Sequence, residues 1–257
     1  MKTATLSVVY ITRNAAAHLR QSIGSVAAIA DEVLLVDSGS DDATYSIASE
    51  FGARIIHHDW QGFGAQRQFA VEAASHDWIL MLDADEVLRS EVSFKIRSAI
   101  GEGGVGGFYL RWQNYIGSKA IRHGDWAHDW HLRLFDRRYG RYDPNDWVHE
   151  SWESSIATAR LPGISIDHYT VARLQDMLPK LQLYAELNAE KVYARERPVS
   201  ALAPMNHAMG AFLRSYLLRF GLLDGVEGAA IAWTTALGAF MKYAIAREMR
   251  MHDKYPS

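Results

Sequence analysis

The stretch WILMLDADEVL, residues 78–88, decides how this chain is read. Five apolar residues run without a break, as in a strand buried on both faces. Asp83, Asp85 and Glu86 then follow almost side by side. Carboxylates this close repel one another, and each loses hydration where the site is enclosed. Either a positive partner meets them or the cluster lies fully in water.

Upstream, the first hundred residues alternate in a regular way. TLSVVYI (5–11) and EVLLVD (32–37) read as buried strands, ARII (53–56) as a short third one, and WILMLD (78–83) as a fourth. An Ala-rich helix with Asn14 as its N-cap, a second helix through about residue 51 and a third over GAQRQFAVEAA (64–74) separate them. Apolar strands separated by such helices predict a parallel sheet covered on both faces. In these sheets ligands bind beyond the carboxyl ends of the strands, where Asp37 and Asp83 both fall. An enclosed D-x-D at that position would hold a divalent cation, Mg²⁺ or Mn²⁺, through hard oxygen ligands. The cation in turn takes up negative charge on a diphosphate leaving group. Taken alone the D-x-D is weak evidence in a chain with 17 aspartates; its place after the fourth strand gives it weight.

The 257 residues are 49% hydrophobic and 22% charged, a composition that folds. A net charge of −3 argues against a nucleic-acid partner. The absence of cysteine excludes disulfides and thiolate metal sites and suits the cytosol. The opening MKTATLSVVYI is too short in its apolar run for a signal peptide and reads as the first strand.

Between 104 and about 170 the pattern changes to half-buried strands, in GGVGGFYLRWQNYIG and in HLRLFDRR (131–138). Five of the eight tryptophans fall between 112 and 152, interleaved with His123, His128, His131 and His149. That mixture suits either a sugar-stacking wall or plain aromatic packing. From 172 onward Leu174, Met177, Leu178, Leu181 and Tyr184 follow helical spacing, with Pro179 near a helix start. The last segment is strongly apolar, yet its longest uncharged run, Gly228–Met241, is shorter than the about 20 residues of a spanning helix. With Arg214, Arg219, Lys242, Arg247, Arg250 and Lys254 at its edges it reads as an interfacial membrane helix, or as one packed on the main domain or on a second copy in a homo-oligomer.

The runs VVYITRN, VDSGSDD, GFGAQRQFA and LDADE, in this order and spacing, resemble a family 2 glycosyltransferase. RHGDW, LRLF, VHE, DHYTV and the FGLLDG turn narrow the likeness to the subgroup of lipopolysaccharide core β-1,4-glucosyltransferases. The resemblance implies an α/β GT-A nucleotide-diphospho-sugar transferase fold, a Rossmann-like mostly parallel sheet with a C-terminal helical extension. It implies a catalytic domain over 1–172, split near residue 100 into donor and acceptor halves, and an extension over 173–257. Thr12, Arg13 and Asp37 would contact the nucleotide, with Asp37 accepting from the uracil N–H. Asp83 would sit by the ribose or the metal, Asp85 would ligate the metal, and Arg67 would meet phosphate oxygens. His168, with His149 behind it, would contact the metal or diphosphate. Family 2 enzymes invert the anomeric centre in one displacement and need a general base. Many relatives carry that base in a Glu-Asp pair, which this sequence lacks. Glu150 in VHE takes its place as candidate, with Asp146 and Asp129 behind it. The expected donor is a UDP-hexose, most simply UDP-glucose. The expected acceptor is a lipopolysaccharide-core or other lipid-linked sugar at the cytoplasmic face of the inner membrane. Two rival readings stand beside this one. The chain could be a membrane-associated nucleotide-sugar-binding module that has lost transfer. DADEV also fits the nucleophile motif of haloacid-dehalogenase-type phosphatases, although there it usually ends the first strand.

Overall fold

The computed structural model describes residues 4–89, 92–102, 104–144, 151–195 and 198–254. It divides into two compact units, one formed by Met1–Trp112 with Trp130–His168, the other by Gln113–Asp129 with Tyr169–Ser257.

The first unit opens with β1 (Leu6–Thr12), α1 (Ala16–Val26), β2 (Glu32–Asp37), α2 (Thr44–Glu50), β3 (Arg54–His57), α3 (Phe63–Ala73) and β4 (Trp78–Leu82). The four strands pair in parallel in the order β3-β2-β1-β4, as the apolar runs predict. Every residue of β4 is buried. Its alternation feeds two cores: Leu80 and Leu82 join Leu6, Val8 and Tyr10 beneath Leu19 and Ile23 of α1, while Ile79 and Met81 join Val9, Leu34 and Val36 beneath Ala70 and Val71 of α3. This is the period-two pattern of a strand whose two faces are both covered. The chain goes on through β5 (Glu86–Leu88), α4 (Ser93–Glu102), β6 (Gly107–Ile116), β7 (Lys119–Ala120), β8 (Trp130–Asp136), β9 (Gly140–Arg141), β10 (Glu153–Ser154) and β11 (Thr158–Val171). Antiparallel β8 extends the sheet from β4, and β6, β11 and β5 follow. The result is a mixed sheet whose parallel half is the one legible from residues 5–83.

One local expectation fails. Asn14 is not the N-cap of α1: that place belongs to Ala15, and Asn14 adopts a left-handed backbone, φ 53°. Its side chain accepts from the Asp41 N–H (2.9 Å), while Asp42 and Thr44 receive the Ala16 and Ala15 N–H groups. Asparagine tolerates the left-handed region, so it serves here as a loop tie, and the helix start is capped from the loop after β2.

The second unit holds the tail of β6, β7, the tail of β11, α5 (Met177–Ala194), α6 (Ala203–Leu213) and α7 (Gly225–Lys254). α7 packs on α5 and α6 through a seam of mostly small residues, Ala185, Ala189, Ala211, Ala232, Ala236 and Ala246. Of the helical series seen in the sequence, Met177 is buried but Leu174, Leu178 and Tyr184 are exposed. Pro179 falls in the first turn of α5, where its missing N–H costs nothing. The uncharged run Gly228–Met241 is continuous with helix on both sides. By length and composition the helical stretch Gly221–Met251, charged residues at its ends included, is long and apolar enough to cross a membrane.

Candidate active site

The site is built in the first unit, at the carboxyl ends of β1, β2 and β4. Thr12 and Asp37 are register partners at the ends of β1 and β2, and the Thr12 hydroxyl donates to Asp37 at 2.8 Å. Asp37 also accepts from the Gly39 and Ser40 N–H groups (2.9 and 2.7 Å) and from the Ser40 hydroxyl (2.5 Å). Burial alone would raise this carboxyl, but hydrogen bonds from Ser40, Thr12 and Tyr45 outweigh it and hold it below its usual range. Asp37 is fully buried, and its lone pairs are engaged by its own loop. These bonds make Asp37 the anchor of the Ser38–Ser40 turn at the end of β2. Arg13, next to Thr12, is exposed.

The acid cluster finds its positive partners inside the protein. Asp83 accepts from Nη2 of Arg67 on α3 at 2.7 Å and from Nη2 of Arg133 on β8 at 2.6 Å. The same Arg133 nitrogen donates to Glu86, whose carboxylate also receives the Asp83 N–H at 3.2 Å. Both arginines and Glu86 are buried. Burial would raise Asp83, but the charges of Arg133 and Arg67 outweigh it and hold Asp83 well below the usual carboxylate range. Burial pushes Glu86 the other way, up to about 7, against the pull of Arg133 and with the help of Asp83. Two guanidinium groups therefore answer two of the three carboxylates. Asp83 is tied to arginines on both oxygens, a poor setting for the nucleophile of a phosphatase.

Asp85 is the third. It is one-third exposed, and its Oδ2 lies 3.6 Å from Nε2 of His168 on β11. The β5–β11 pairing brings the two together, with His168 opposite Glu86 in register. The His168 ring lies against Trp112 (4.1 Å between centroids), His131 stacks on the same indole (3.6 Å), and the Arg133 guanidinium sits 5.1 Å from it. Of the aromatic- and imidazole-rich segment, Trp112 and His131 thus meet beside the acid cluster. Trp152, by contrast, is core packing against Phe135 and Tyr142.

Among the described residues no three His, Asp or Glu side chains gather as a metal cage. Asp85 and His168 offer one oxygen and one nitrogen on a single side. That fits a cation that completes its shell with phosphate oxygens and water, the usual arrangement for Mg²⁺ with nucleotides. Glu150, Asp146 and His149 lie outside the described residues, and Asp129 belongs to the second unit. The residue that sequence reading missed is Arg133. Alternating HLRLFDRR suggested a strand with polar residues outward; a charged residue between Leu132 and Leu134 was the available signal.

Residues 7–158 match the sequence model described as glycosyl transferase family 2. The chain belongs to that family. It is a glycosyltransferase, and its mixed sheet with flanking helices is the GT-A fold. Across its length this glycosyltransferase is 28% identical over 265 residues to the lipopolysaccharide core biosynthesis glycosyltransferase LpsC of Rhizobium meliloti (strain 1021), covering 96% of each chain. It is 26% identical over 262 residues to an uncharacterized glycosyltransferase of Rickettsia felis, covering 97% of this chain and 92% of that one. Among solved structures it resembles S. aureus TarS in fold, with a TM-score of 0.52 at 13% identity, over 89% of this chain and about half (55%) of that one.

Proposed function

We propose that this family 2 enzyme transfers a hexose, most simply glucose from UDP-glucose, with inversion onto a lipopolysaccharide-core or other lipid-linked acceptor at the cytoplasmic face of the inner membrane. One observation supports the donor side above the rest: among the described residues, Asp85 is the one of three clustered carboxylates not taken up by a guanidinium, and it stands beside His168. Those two side chains would hold a Mg²⁺ or Mn²⁺ ion. When bound, the ion neutralises charge on the departing diphosphate. Thr12 and the loop shaped by Asp37 form the nucleotide side, with Arg13 free to swing toward phosphate. Arg67 and Arg133 keep the Asp83 and Glu86 carboxylates in place and add positive potential to the crevice. The likeness to LpsC supports the choice of acceptor class. Residues 1–172 carry the transfer, and 173–257 serve the membrane side.

Glu150 is the proposed base that takes the proton of the acceptor hydroxyl as the glycosidic bond forms. Glu150→Gln should leave UDP-glucose binding by calorimetry unchanged while transfer falls by about 10²- to 10⁴-fold. Full turnover by this variant removes Glu150 from the mechanism. Absence of heat from UDP-glucose with Mn²⁺ in the unaltered enzyme removes the donor assignment.

A further inference from the structure

The second unit is patterned inside out at one place. Between α6 and α7 the chain passes through a π-helical turn (Arg214–Leu218) and a 3₁₀ turn (Gly221–Asp224). Leu217, Leu218, Phe220, Leu222, Leu223 and Val226 all point to solvent there, Leu218 74%, Leu223 62% and Val226 71% exposed. The acids of the same stretch turn inward. Asp224 is buried and accepts from the N–H groups of Arg122 and His123 (3.0 and 2.7 Å), with the His123 ring 3.0 Å away. Glu227 pairs with Lys119 at 2.5 Å. A water-facing turn would show the reverse arrangement.

The turn is also built to hold that shape. Phe220 adopts a left-handed backbone, φ 58°, a strained conformation for a bulky residue. Gly228 of α7 approaches so closely that a Cβ there would stand 1.9 Å from the Gly221 carbonyl oxygen. Six large apolar side chains on a rigid, strained turn, with its acids withdrawn, need a partner.

Charge chooses between partners. The second unit holds 13 Lys and Arg against 10 Asp and Glu, whereas the first holds 14 against 20. At the base of the turn, Arg214 and Arg219 share one acid, Asp125 (3.0 and 2.7 Å), and both stay substantially exposed. A second copy would set two positive units against each other; an anionic bilayer offers the opposite sign. α7 buries Ile231, Ala232, Ala236 and Ala246 against its own unit, as a helix lying on a membrane does with the face turned away from lipid.

We propose that the Leu217–Val226 turn is a lipid-inserting tip that seats this glycosyltransferase in the interface of an anionic bilayer, with Arg214 and Arg219 at headgroup level. The inference takes from the proposed function only the membrane-borne acceptor, and names the element that reaches it. The test uses the full-length chain and flotation with vesicles of phosphatidylcholine, alone or mixed with phosphatidylglycerol. The chain should float with the anionic vesicles, less so at high salt, and alkaline carbonate should release it. The exposed-site variant Leu218→Glu/Leu223→Glu/Val226→Glu should lower partition about tenfold or more. Its melting temperature and UDP-glucose binding should stay as they were. Unchanged flotation of the triple variant overturns the proposal, and so does retention through carbonate, which indicates a spanning helix. A concentration-dependent dimer in sedimentation velocity that the triple variant abolishes assigns the tip to a second copy and overturns it as well. Flotation without any UDP-glucose binding would sink the donor reading and leave the tip standing; binding without flotation does the converse.

Discussion

Around Asp83 the first unit takes Arg67, Arg133 and Glu86 out of water and pairs them with one another and with the half-buried Asp83; around Phe220 the second unit leaves six large apolar side chains in water and turns its acids inward. Both depart from ordinary burial, in opposite directions. In the first case the departure is compensated within the chain, because Arg67 and Arg133 answer Asp83 and Glu86. In the second nothing within the turn covers the apolar surface. Self-sufficiency at one place and an open requirement at the other distinguish a preorganised site from a docking element.

The widest test of this contrast is Asp85→Ala. If Asp85 is the one carboxylate kept for an external cation, the Mn²⁺-dependent part of UDP-glucose binding should weaken about a hundredfold or more by calorimetry, with little change in melting temperature. Unchanged heats would place the cation elsewhere. Next comes Arg133→Met, which leaves the half-buried Asp83 and the buried Glu86 short of positive charge. Loss of one member of a buried charge group costs about 3–5 kcal/mol, readable from urea unfolding. Arg133→Lys should recover part of that. An Arg133→Met variant as stable as the parent would mean that the cluster is not internally balanced.

The smallest effect lies at the other end of the sheet and serves as a control. Glu32 at the start of β2 accepts from Ser7, Ser75 and Arg54. Burial would raise its carboxyl, but these bonds outweigh it and bring it from 4.5 down to about 2. A carboxylate depressed in the folded state adds stability that is complete above its unfolded value and is lost as pH falls through the folded one. The stability gap between the parent and Glu32→Gln, about 1–2 kcal/mol at neutral pH, should therefore close between about pH 4.5 and pH 2. A gap that persists at the acid end would assign the effect to packing.

The parallel half of the sheet was legible because WILML and the VLLV of β2 are apolar without interruption, the pattern of strands buried on both faces. The acid cluster was legible as a cluster at a strand end but not as an internally balanced one. Arg133 comes 50 residues after Asp83, and it reaches the cluster only because β8 adds to β4 in antiparallel register, a pairing that no local spacing encodes. The tip was hidden for a different reason. Leucines at helical intervals look alike whether they face a core or a lipid surface, and Leu178 and Tyr184 show that here they face outward.

The left-handed residue at 220 has a consequence for anyone who engineers this enzyme. Glycine would relax the backbone there, so selection for heat resistance in plain buffer will favour it. Selection for work at a lipid surface will favour the aromatic ring instead. A thermostabilised descendant carrying that glycine should be easier to purify and poorer at finding its acceptor.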